Sequence, residues 1–212
     1  MEIMANIATA VINGKAAEVE RLINEALTAR ISPNTIINDG LIAGMQVIAE
    51  RFKKNDIYVP EVLIAARAMT TGLNIVKPMI SNIDTKPVGK VVIGTVKGDL
   101  HDIGKKLVVM MLQGAGFEFE VVDLGIDVAP EKFTAAVVEH QPDLLGMSAL
   151  LTTTMPAMAE TIRLLEESGL RDKVKVIVGG APVTDVYAKQ IGADGYAPDA
   201  GSAVDVAKSL VE

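Results

Sequence analysis

From residue 89 onward, five short apolar segments alternate with segments of helical length. The apolar segments are KVVIGTV, FEVVDLG, DLLGMSAL, KVIVGG and ADGYAP. Near-continuous apolar runs of this kind are typical of strands that are buried on both faces of a parallel sheet. Strands that alternate with helices predict right-handed crossovers and a doubly wound α/β domain with five parallel strands. No other feature restricts the fold of this chain as strongly.

The first 82 residues lack strand-like segments and show helical periodicity instead. In KAAEVERLINEALTAR, the apolar side chains fall on one helical face and the charges fall opposite. Ser32 followed by Pro33 predicts a capped helix start, and this helix runs to about Lys53. Together with a shorter segment at 2–13 and one that begins at VPEVLIAARAM, the pattern predicts a bundle of four helices.

The two patterns divide the chain into a helical domain, a linker and an α/β domain. IDTKPVG, residues 83–89, contains the proline, glycine and charges that are typical of a linker. We therefore expect a helical domain at 1–82 and an α/β domain at 90–212.

Composition and charge exclude several classes of function. The chain has 20 Lys and Arg against 27 Asp and Glu, for a net charge of −7, and it contains no cysteine. An acidic chain without a basic run is a poor partner for nucleic acid or an anionic membrane. The absence of cysteine rules out disulfides, thiolate catalysis and thiolate metal ligands. Without a signal-like start, and with no apolar run near about 18 residues, the chain is expected to be cytoplasmic.

The loops that follow the first, third and fourth strands are the candidate binding region. In an open α/β sheet, ligands bind at the carboxyl ends of the strands, where the strand order reverses. A flavodoxin-like order, 2-1-3-4-5, brings the first loop, 98–104, beside the third loop, 148–154. Gly179-Gly180 ends the fourth strand, and paired glycines let a group approach the backbone, although an ordinary turn explains them equally well. No dinucleotide fingerprint and no P-loop occurs at these junctions.

His101, one of two histidines in the chain, admits four interpretations. It is a structural histidine, a general base, a phospho-acceptor or a metal ligand. A histidine that binds metal must be neutral, and its second nitrogen usually bonds a carboxylate; Asp99 is well placed for that role. One histidine without cysteine cannot form a closed zinc site, so a cofactor would have to supply most of the other metal ligands.

Three basic side chains of the α/β half are given structural explanations. Lys105 and Lys106 lie in the predicted first turn of a helix, where positive charge opposes the helix dipole. We expect both in solvent; the alternative is contact with a nucleotide phosphate. His140, near the end of the second helix of the α/β half, is expected to complement the dipole there.

The loop residues resemble the three-part signature of cobalamin-binding modules. The three parts are Asp99-x-His101-x-x-Gly104, Ser148-x-Leu150 and Gly179-Gly180. In the helical half, GMQVIAERFKKNDIYVPEVLIAARAM, residues 44–69, resembles the helical cap that precedes such modules. The resemblance covers nearly the whole chain. It points to the corrinoid proteins of methyltransferase systems and to the cap and cobalamin-binding part of methionine synthase.

This resemblance implies a role for each residue of the signature. His101 would be the lower axial ligand of cobalt, and Asp99 would bond its other nitrogen. Gly104 and the glycine pair would make room for the nucleotide tail of the cofactor, which Ser148 would bond. The complete set of implied cofactor contacts is Gly98, Asp99, Leu100, His101, Asp102, Gly104, Ser148, Leu150, Thr152, Gly179, Gly180 and Ala197, with Phe52, Val59 and Val62 from the cap. The last three would cover the upper cobalt face; the alternative for them is ordinary bundle core.

The implied function is methyl transport, with the cofactor as carrier. The chain would accept a methyl group on cob(I)alamin from a methylated substrate, assisted by a substrate-specific methyltransferase. It would deliver that group to a second methyltransferase that uses tetrahydrofolate or a thiol acceptor, and a reductive activation protein would restore the cofactor. None of its residues would be a catalytic acid, base or nucleophile, so no catalysis is expected without the partner methyltransferases.

Two alternatives belong to other functional classes. One is a cobalamin-dependent sensor, whose helical cap would recognise a regulatory partner. The other is a response-regulator-like domain without a corrin, which leaves Ser148-x-Leu150 and the glycine pair without a shared explanation.

Overall fold

The computed structural model describes residues 2–79, 89–114 and 119–211. Residues 2–79 belong to one compact unit, and the described residues from 89 onward belong to a second unit, apart from Gln113 and Gly114. The predicted linker at 83–89 lies outside the described residues except for Gly89, which begins the first strand.

Within residues 2–79 the four predicted helices are present. They are α1 (Glu2–Ile12), α2 (Ala16–Thr28), α3 (the contiguous segments Pro33–Thr35, Ile36–Ile42 and Ala43–Lys53) and α4 (Val59–Val76), which a 3₁₀ turn at Lys77–Met79 follows. Ser32 caps α3 as predicted, since its Oγ accepts a hydrogen bond from the Thr35 N–H at 3.1 Å. The middle segment of α3 is a π-helix, which apolar periodicity does not predict.

The helices of this unit pack closely through small residues. A Cβ at Gly72 of α4 would lie 2.7 Å from the side chains of Ile23 and Leu41. Glycine at this crossing therefore lets α4 lie against α2 and α3 at a distance that alanine would not permit.

Helix α4 corrects one expectation from the sequence. It is the one helix among the described residues that is long and apolar enough to span a membrane, by length and composition alone. The expectation that no apolar run approaches this length was wrong. Its side chains at Val62, Ala65 and Met69 are at most 2% exposed. Such burial is what a core helix of a bundle shows.

The α/β unit is a five-stranded parallel sheet with helices between successive strands. Its elements are β1 (Gly89–Thr95), α5 (Ile103–Gly114), β2 (Phe119–Asp123), α6 (Pro130–His140), β3 (Leu144–Ser148), α7 (Pro156–Glu167), β4 (Lys175–Gly179), α8 (Asp185–Gln190), β5 (Gly195–Ala197) and α9 (Ala200–Val211), with a 3₁₀ turn at Arg171–Lys173. The strand order is β2-β1-β3-β4-β5 and all neighbours are parallel. The predicted flavodoxin-like order is confirmed.

The central strands are buried, as their apolar sequences predict. In β1 every residue except Lys90 is buried, and Leu144, Leu145, Gly146 and Met147 of β3 are buried too. Phe133 of α6 packs against β1 at Gly94, where a Cβ would lie 2.9 Å from its ring. A sheet fixed from both faces holds the loops at its carboxyl edge in a defined arrangement.

Candidate functional site

The carboxyl ends of the four strands that precede the predicted site lie side by side. Thr95 pairs with Ser148, Ser148 pairs with Gly179, and Gly179 pairs with Ala197. The sheet therefore brings the predicted loops together at one edge, and the strand order reverses between β1 and β3. This is where ligands bind in open α/β sheets.

His101 is held by Asp99 in the loop after β1. Its Nδ1 lies 2.7 Å from Asp99 Oδ1, and the same oxygen accepts a hydrogen bond from the His101 N–H at 3.1 Å. The backbone of the histidine is fixed as well, because Thr95 Oγ1 donates to the His101 carbonyl at 3.0 Å. The imidazole is half-exposed, while the Asp99 side chain is fully buried.

The second oxygen of Asp99 ties this loop to the loop after β3. Asp99 Oδ2 accepts hydrogen bonds from the Leu150 N–H at 2.7 Å, the Leu151 N–H at 3.2 Å and Thr154 Oγ1 at 2.8 Å. Thr154 was not predicted as a site residue. It is one of three consecutive threonines, 152–154, and only the fold shows which of them faces Asp99.

These hydrogen bonds keep Asp99 ionised and thereby fix the form of His101. Burial alone would raise the pKa of Asp99. The hydrogen bonds from the His101 and Leu150 amides, the His101 ring and Thr154 outweigh burial and hold this pKa well below its ordinary value. An ionised carboxylate can only accept hydrogen bonds, so Nδ1 of His101 carries the proton. In the neutral ring, Nε2 then keeps its lone pair and is the nitrogen available to a metal.

Several large apolar side chains are exposed in the same two loops. The exposed large hydrophobic side chains there are Leu100, Ile103, Leu150 and Leu151, at 67, 65, 44 and 41%. Exposed apolar side chains in the two loops that hold a half-exposed imidazole form a surface that a large, mostly apolar ligand would cover.

The structure explains two of the signature glycines, Gly179 and Gly180, and leaves the third, Gly104, to be explained by something other than the described part of the chain. At Gly180, φ is +126° and a Cβ would lie 1.9 Å from the Ala149 carbonyl oxygen; at Gly179 it would lie 2.9 Å from the Ala197 oxygen. The chain itself therefore requires both glycines. A Cβ at Gly104, in the first turn of α5, would meet no atom of the described residues within 4 Å. Nothing in the described part of the chain therefore requires glycine at position 104.

The remaining predicted contacts of the α/β unit differ in exposure. Ser148 is half-buried, and its hydroxyl has no hydrogen-bond partner within residues 2–79, 89–114 and 119–211. Thr152 is exposed, whereas Ala197 is only 7% exposed. Gly98 adopts a left-handed φ of +81° and donates its N–H to Asp127 at 2.7 Å. Asp102 forms an ion pair with Lys106 at 2.5 Å.

One lysine departs from the expectation of a solvated side chain. Lys106 is exposed, at 56% of its side chain, as predicted. Lys105 is buried, at 1%, and forms an ion pair with Asp123 at the end of β2. The prediction for Lys105 was wrong because its partner lies 18 residues away, on a strand that the sheet places beside α5.

In the helical unit, the three predicted cap residues are not equally buried. Phe52, near the end of α3, and Val59, the first residue of α4, are half-buried, whereas Val62 is fully buried. Their role toward a cofactor stays a prediction. Among the described residues, no three of His, Cys, Asp or Glu cluster in a way that could hold a metal ion. A metal at His101 would therefore have to arrive within a larger ligand.

Comparison with known families gives two matches that together span most of the chain. The profile of a family described as B12 binding domain matches residues 89–205, and a second profile with the same description matches residues 3–77. The first match contains every signature residue of the α/β unit, and the second contains the three cap residues.

Curated relatives resemble the chain over its full length. "Dimethylamine corrinoid protein 2" of Methanosarcina acetivorans is 43% identical over 211 residues, which cover 99% of this chain and 96% of the relative. "Trimethylamine corrinoid protein" of Methanosarcina barkeri is 42% identical over 212 residues, covering 99% and 97%.

Solved structures agree in fold over the same extent. The methanol:cobalamin methyltransferase complex MtaBC of Methanosarcina barkeri contains a chain with a TM-score of 0.86 and 34% identity, and the match covers 99% of this chain and 80% of that one. A cobalamin-binding protein of Desulfitobacterium hafniense DCB-2 has a TM-score of 0.82 and 29% identity, with 99% and 98% coverage.

Proposed function

Because the chain belongs to the B12-binding corrinoid proteins of methyltransferase systems, we propose that it binds cobalamin through His101 and carries methyl groups between two methyltransferases. When bound, the cofactor supplies the chemistry, since its cobalt accepts a methyl group and gives it up. The protein supplies axial ligation, orientation and shielding. The alternative of a sensor has no support among the relatives named above.

The Asp99–His101 pair is the observation that carries this proposal. Asp99 holds the proton on Nδ1 of His101, so Nε2 would be the nitrogen that binds the cobalt of the cofactor. Leu150, Leu151 and Thr154 fix the carboxylate in turn, so the imidazole is oriented before any ligand binds.

Other residues of the α/β unit fit the rest of the cofactor. The hydroxyl of Ser148, which has no hydrogen-bond partner among the described residues, is available to bond the nucleotide tail. The exposed Leu150 side chain is available to cover the ring of that tail. The open side of Gly104 leaves space for the tail beside α5. In the cap, the half-buried Phe52 and Val59 are the better candidates for cover over the methyl group, since Val62 is fully buried.

We test the cofactor assignment with His101→Ala and use His140→Ala as the matched control. His140 is the only other histidine of the chain and ends α6, away from the loops of the site. After reconstitution with hydroxocobalamin and reduction to Co(II), the wild type and His140→Ala should show the nitrogen coupling of an axial imidazole in electron paramagnetic resonance. His101→Ala should lack it. Unchanged coupling in His101→Ala would refute the assignment.

We further propose that the methyl donor is a methylated amine. Relatives named for dimethylamine and trimethylamine are 42–44% identical to the chain over 99% of its length, whereas the matched chain of the methanol complex is 34% identical. Substrate choice belongs to the first methyltransferase, and the acceptor, tetrahydrofolate or a thiol, belongs to the second. A reductive activation protein would return oxidised cofactor to the active state.

The substrate proposal is tested by methylation in the presence of separate methyltransferases. The reduced holo-protein is mixed with a methyltransferase for methylamines or with one for methanol, each with its own substrate, and the absorbance of the methylated cofactor is followed. Methylation should require the amine enzyme. Faster methylation by the methanol enzyme would contradict the proposed donor.

A further inference from the structure

Lys105 is a buried cation that the roles above do not use. The buried polar or charged residues among the described ones are Thr95, Asp99, Lys105, Thr154 and Thr161. Thr95, Asp99 and Thr154 all hold the His101 loop, either directly or through one another. Lys105 lies immediately after that loop, in the first turn of α5. Its position therefore associates it with the same site.

A single turn after β2 holds the His101 loop at both of its ends. Lys105 forms an ion pair with Oδ1 of Asp123, and the same oxygen accepts the Gly125 N–H at 2.9 Å. The Gly125 carbonyl accepts the Thr95 N–H at 3.0 Å, and Thr95 Oγ1 donates to the His101 carbonyl. Thr95 thus anchors the beginning of the loop to this turn, and Lys105 anchors its end.

A contribution to stability does not by itself explain why Lys105 is buried in an ion pair with Asp123. A positive charge in the first turn of a helix opposes the helix dipole. Burial of the ammonium removes its hydration, and an apolar pair of similar volume often gives equal or greater stability. A requirement for one fixed geometry explains the pair better, because a charged pair is satisfied in far fewer arrangements than apolar contacts are.

We propose that Lys105 is a positioning residue for the cofactor site. Through Asp123 it fixes the first turn of α5, and with it the placement of His101 and the open side of Gly104, before cobalamin binds. In this assignment Lys105 does not touch the cofactor. The inference rests on the proposed function.

The test is Lys105→Met, which keeps most of the apolar stem and removes the charge. Asp123 is 32% exposed, so water can replace its lost partner and no unpaired charge is left fully buried. Lys106→Met is the matched control: it is the next residue of the same helix, and it loses an exposed ion pair with Asp102. The full chain is used throughout, and folding is checked by circular dichroism and by urea unfolding.

Three measurements separate positioning from general structure. Lys105→Met should bind hydroxocobalamin about 10-fold more weakly or worse, as changes behind a metal ligand commonly do. It should show a smaller fraction of imidazole-ligated Co(II), and faster hydrogen exchange at amides 99–106 in the protein without cofactor. Lys106→Met should match the wild type in all three. Equal behaviour of Lys105→Met and wild type would overturn the proposal.

Asp123→Asn tests the same idea while the lysine is retained. It should weaken hydroxocobalamin binding in the same direction, and it also serves if Lys105→Met does not fold. The double variant should lose no more hydroxocobalamin affinity than the weaker-binding single variant does, since both changes break the same Lys105–Asp123 ion pair. Losses that multiply would show that Lys105 acts on the cofactor directly and would overturn positioning. Failure of the wild type to bind cobalamin would refute the proposed function instead.

Discussion

Replacement of Asp99 by asparagine should both destabilise the α/β unit and remove its preference for one form of His101. Asp99 accepts hydrogen bonds from the His101 N–H and ring, the Leu150 and Leu151 amides and the Thr154 hydroxyl. An asparagine has one oxygen with two lone pairs. If that oxygen faces the loop after β3, its NH₂ group faces His101. The ring must then accept at Nδ1 and carry its proton on Nε2, where it blocks metal binding.

The opposite orientation of the asparagine costs stability instead. Its NH₂ group would face the donors at 150, 151 and 154, and these would lose their acceptor. Thr154 Oγ1 can still donate to the Leu151 carbonyl at 2.9 Å, so the amides at 150 and 151 are the two donors left without an acceptor. Hydrogen bonds to a charged group contribute about 1.5–3 kcal/mol each, so the loss of these two gives about 3 kcal/mol or more. The Asp99 side chain is fully buried, so solvent cannot compensate. In either orientation the variant loses something that can be measured.

Urea unfolding at pH 7, together with hydroxocobalamin titration, measures both consequences. With a slope of about 2 kcal/mol per molar urea, a loss of 3 kcal/mol lowers the unfolding midpoint by about 1.5 M. Asp102→Asn, in the same loop, is the matched control for stability alone, since its carboxylate is partly exposed and pairs with Lys106, and it should change the urea midpoint little. An Asp99→Asn variant that unfolds at the wild-type urea concentration and still shows imidazole on cobalt would refute the account of Asp99.

The pKa of Asp99 adds a pH dependence with a definite sign. Because hydrogen bonds hold this pKa below its ordinary value of about 4, the carboxylate stabilises the folded state fully above that value. The stabilisation is lost as the pH falls through the folded pKa. The difference in unfolding free energy between wild type and Asp99→Asn should therefore be constant near neutrality and shrink below about pH 4.

Three further substitutions test the loops around His101. Gly104→Ala should raise the stability of the cofactor-free protein by about 1 kcal/mol, since alanine favours helix and its Cβ enters open space, yet weaken hydroxocobalamin binding; unchanged binding would contradict a slot beside α5. Thr154→Val removes one donor to Asp99 and should lower the free energy of unfolding by about 1–2 kcal/mol, which is less than the loss expected for Asp99→Asn. Gly180→Ala should damage folding and so weaken the binding of cobalamin and of cobinamide, which lacks the nucleotide tail, to the same extent. Selective loss of cobalamin binding would mean that Gly180 serves only the tail.

Sequence alone predicted the elements whose causes are local. The strands at 89–95 and 144–148 follow from uninterrupted apolar runs, and the helix start at Pro33 follows from the Ser32 cap. The Asp99–His101 contact also follows from short spacing, since two residues in one loop can meet whatever the rest of the fold does. These features need only the neighbouring chain.

The features that sequence did not predict depend on contacts between distant residues. Thr154 contacts Asp99 across 55 residues, and Lys105 contacts Asp123 across 18. A threonine among three threonines carries no local signal of its partner. An available signal for Lys105 was the aspartate at the end of β2, because the order 2-1-3-4-5 places β2 next to β1, whose following helix carries the lysine. Once the sheet order is predicted, acids at strand ends should be paired with lysines in neighbouring first turns.

The glycines show why each residue of a matched motif needs its own physical explanation. Gly104 and Gly180 belong to the same signature, and sequence gave both the same explanation, room for the nucleotide tail. At Gly180 the left-handed φ and the Ala149 oxygen demand glycine in the protein alone, so its presence says little about a ligand. At Gly104 the described part of the protein would favour alanine, because the position is helical and no described atom lies within 4 Å of the added Cβ. A residue that costs stability without an internal reason is the stronger indication of a ligand, and Gly104 therefore supports cofactor binding more than the glycine pair does.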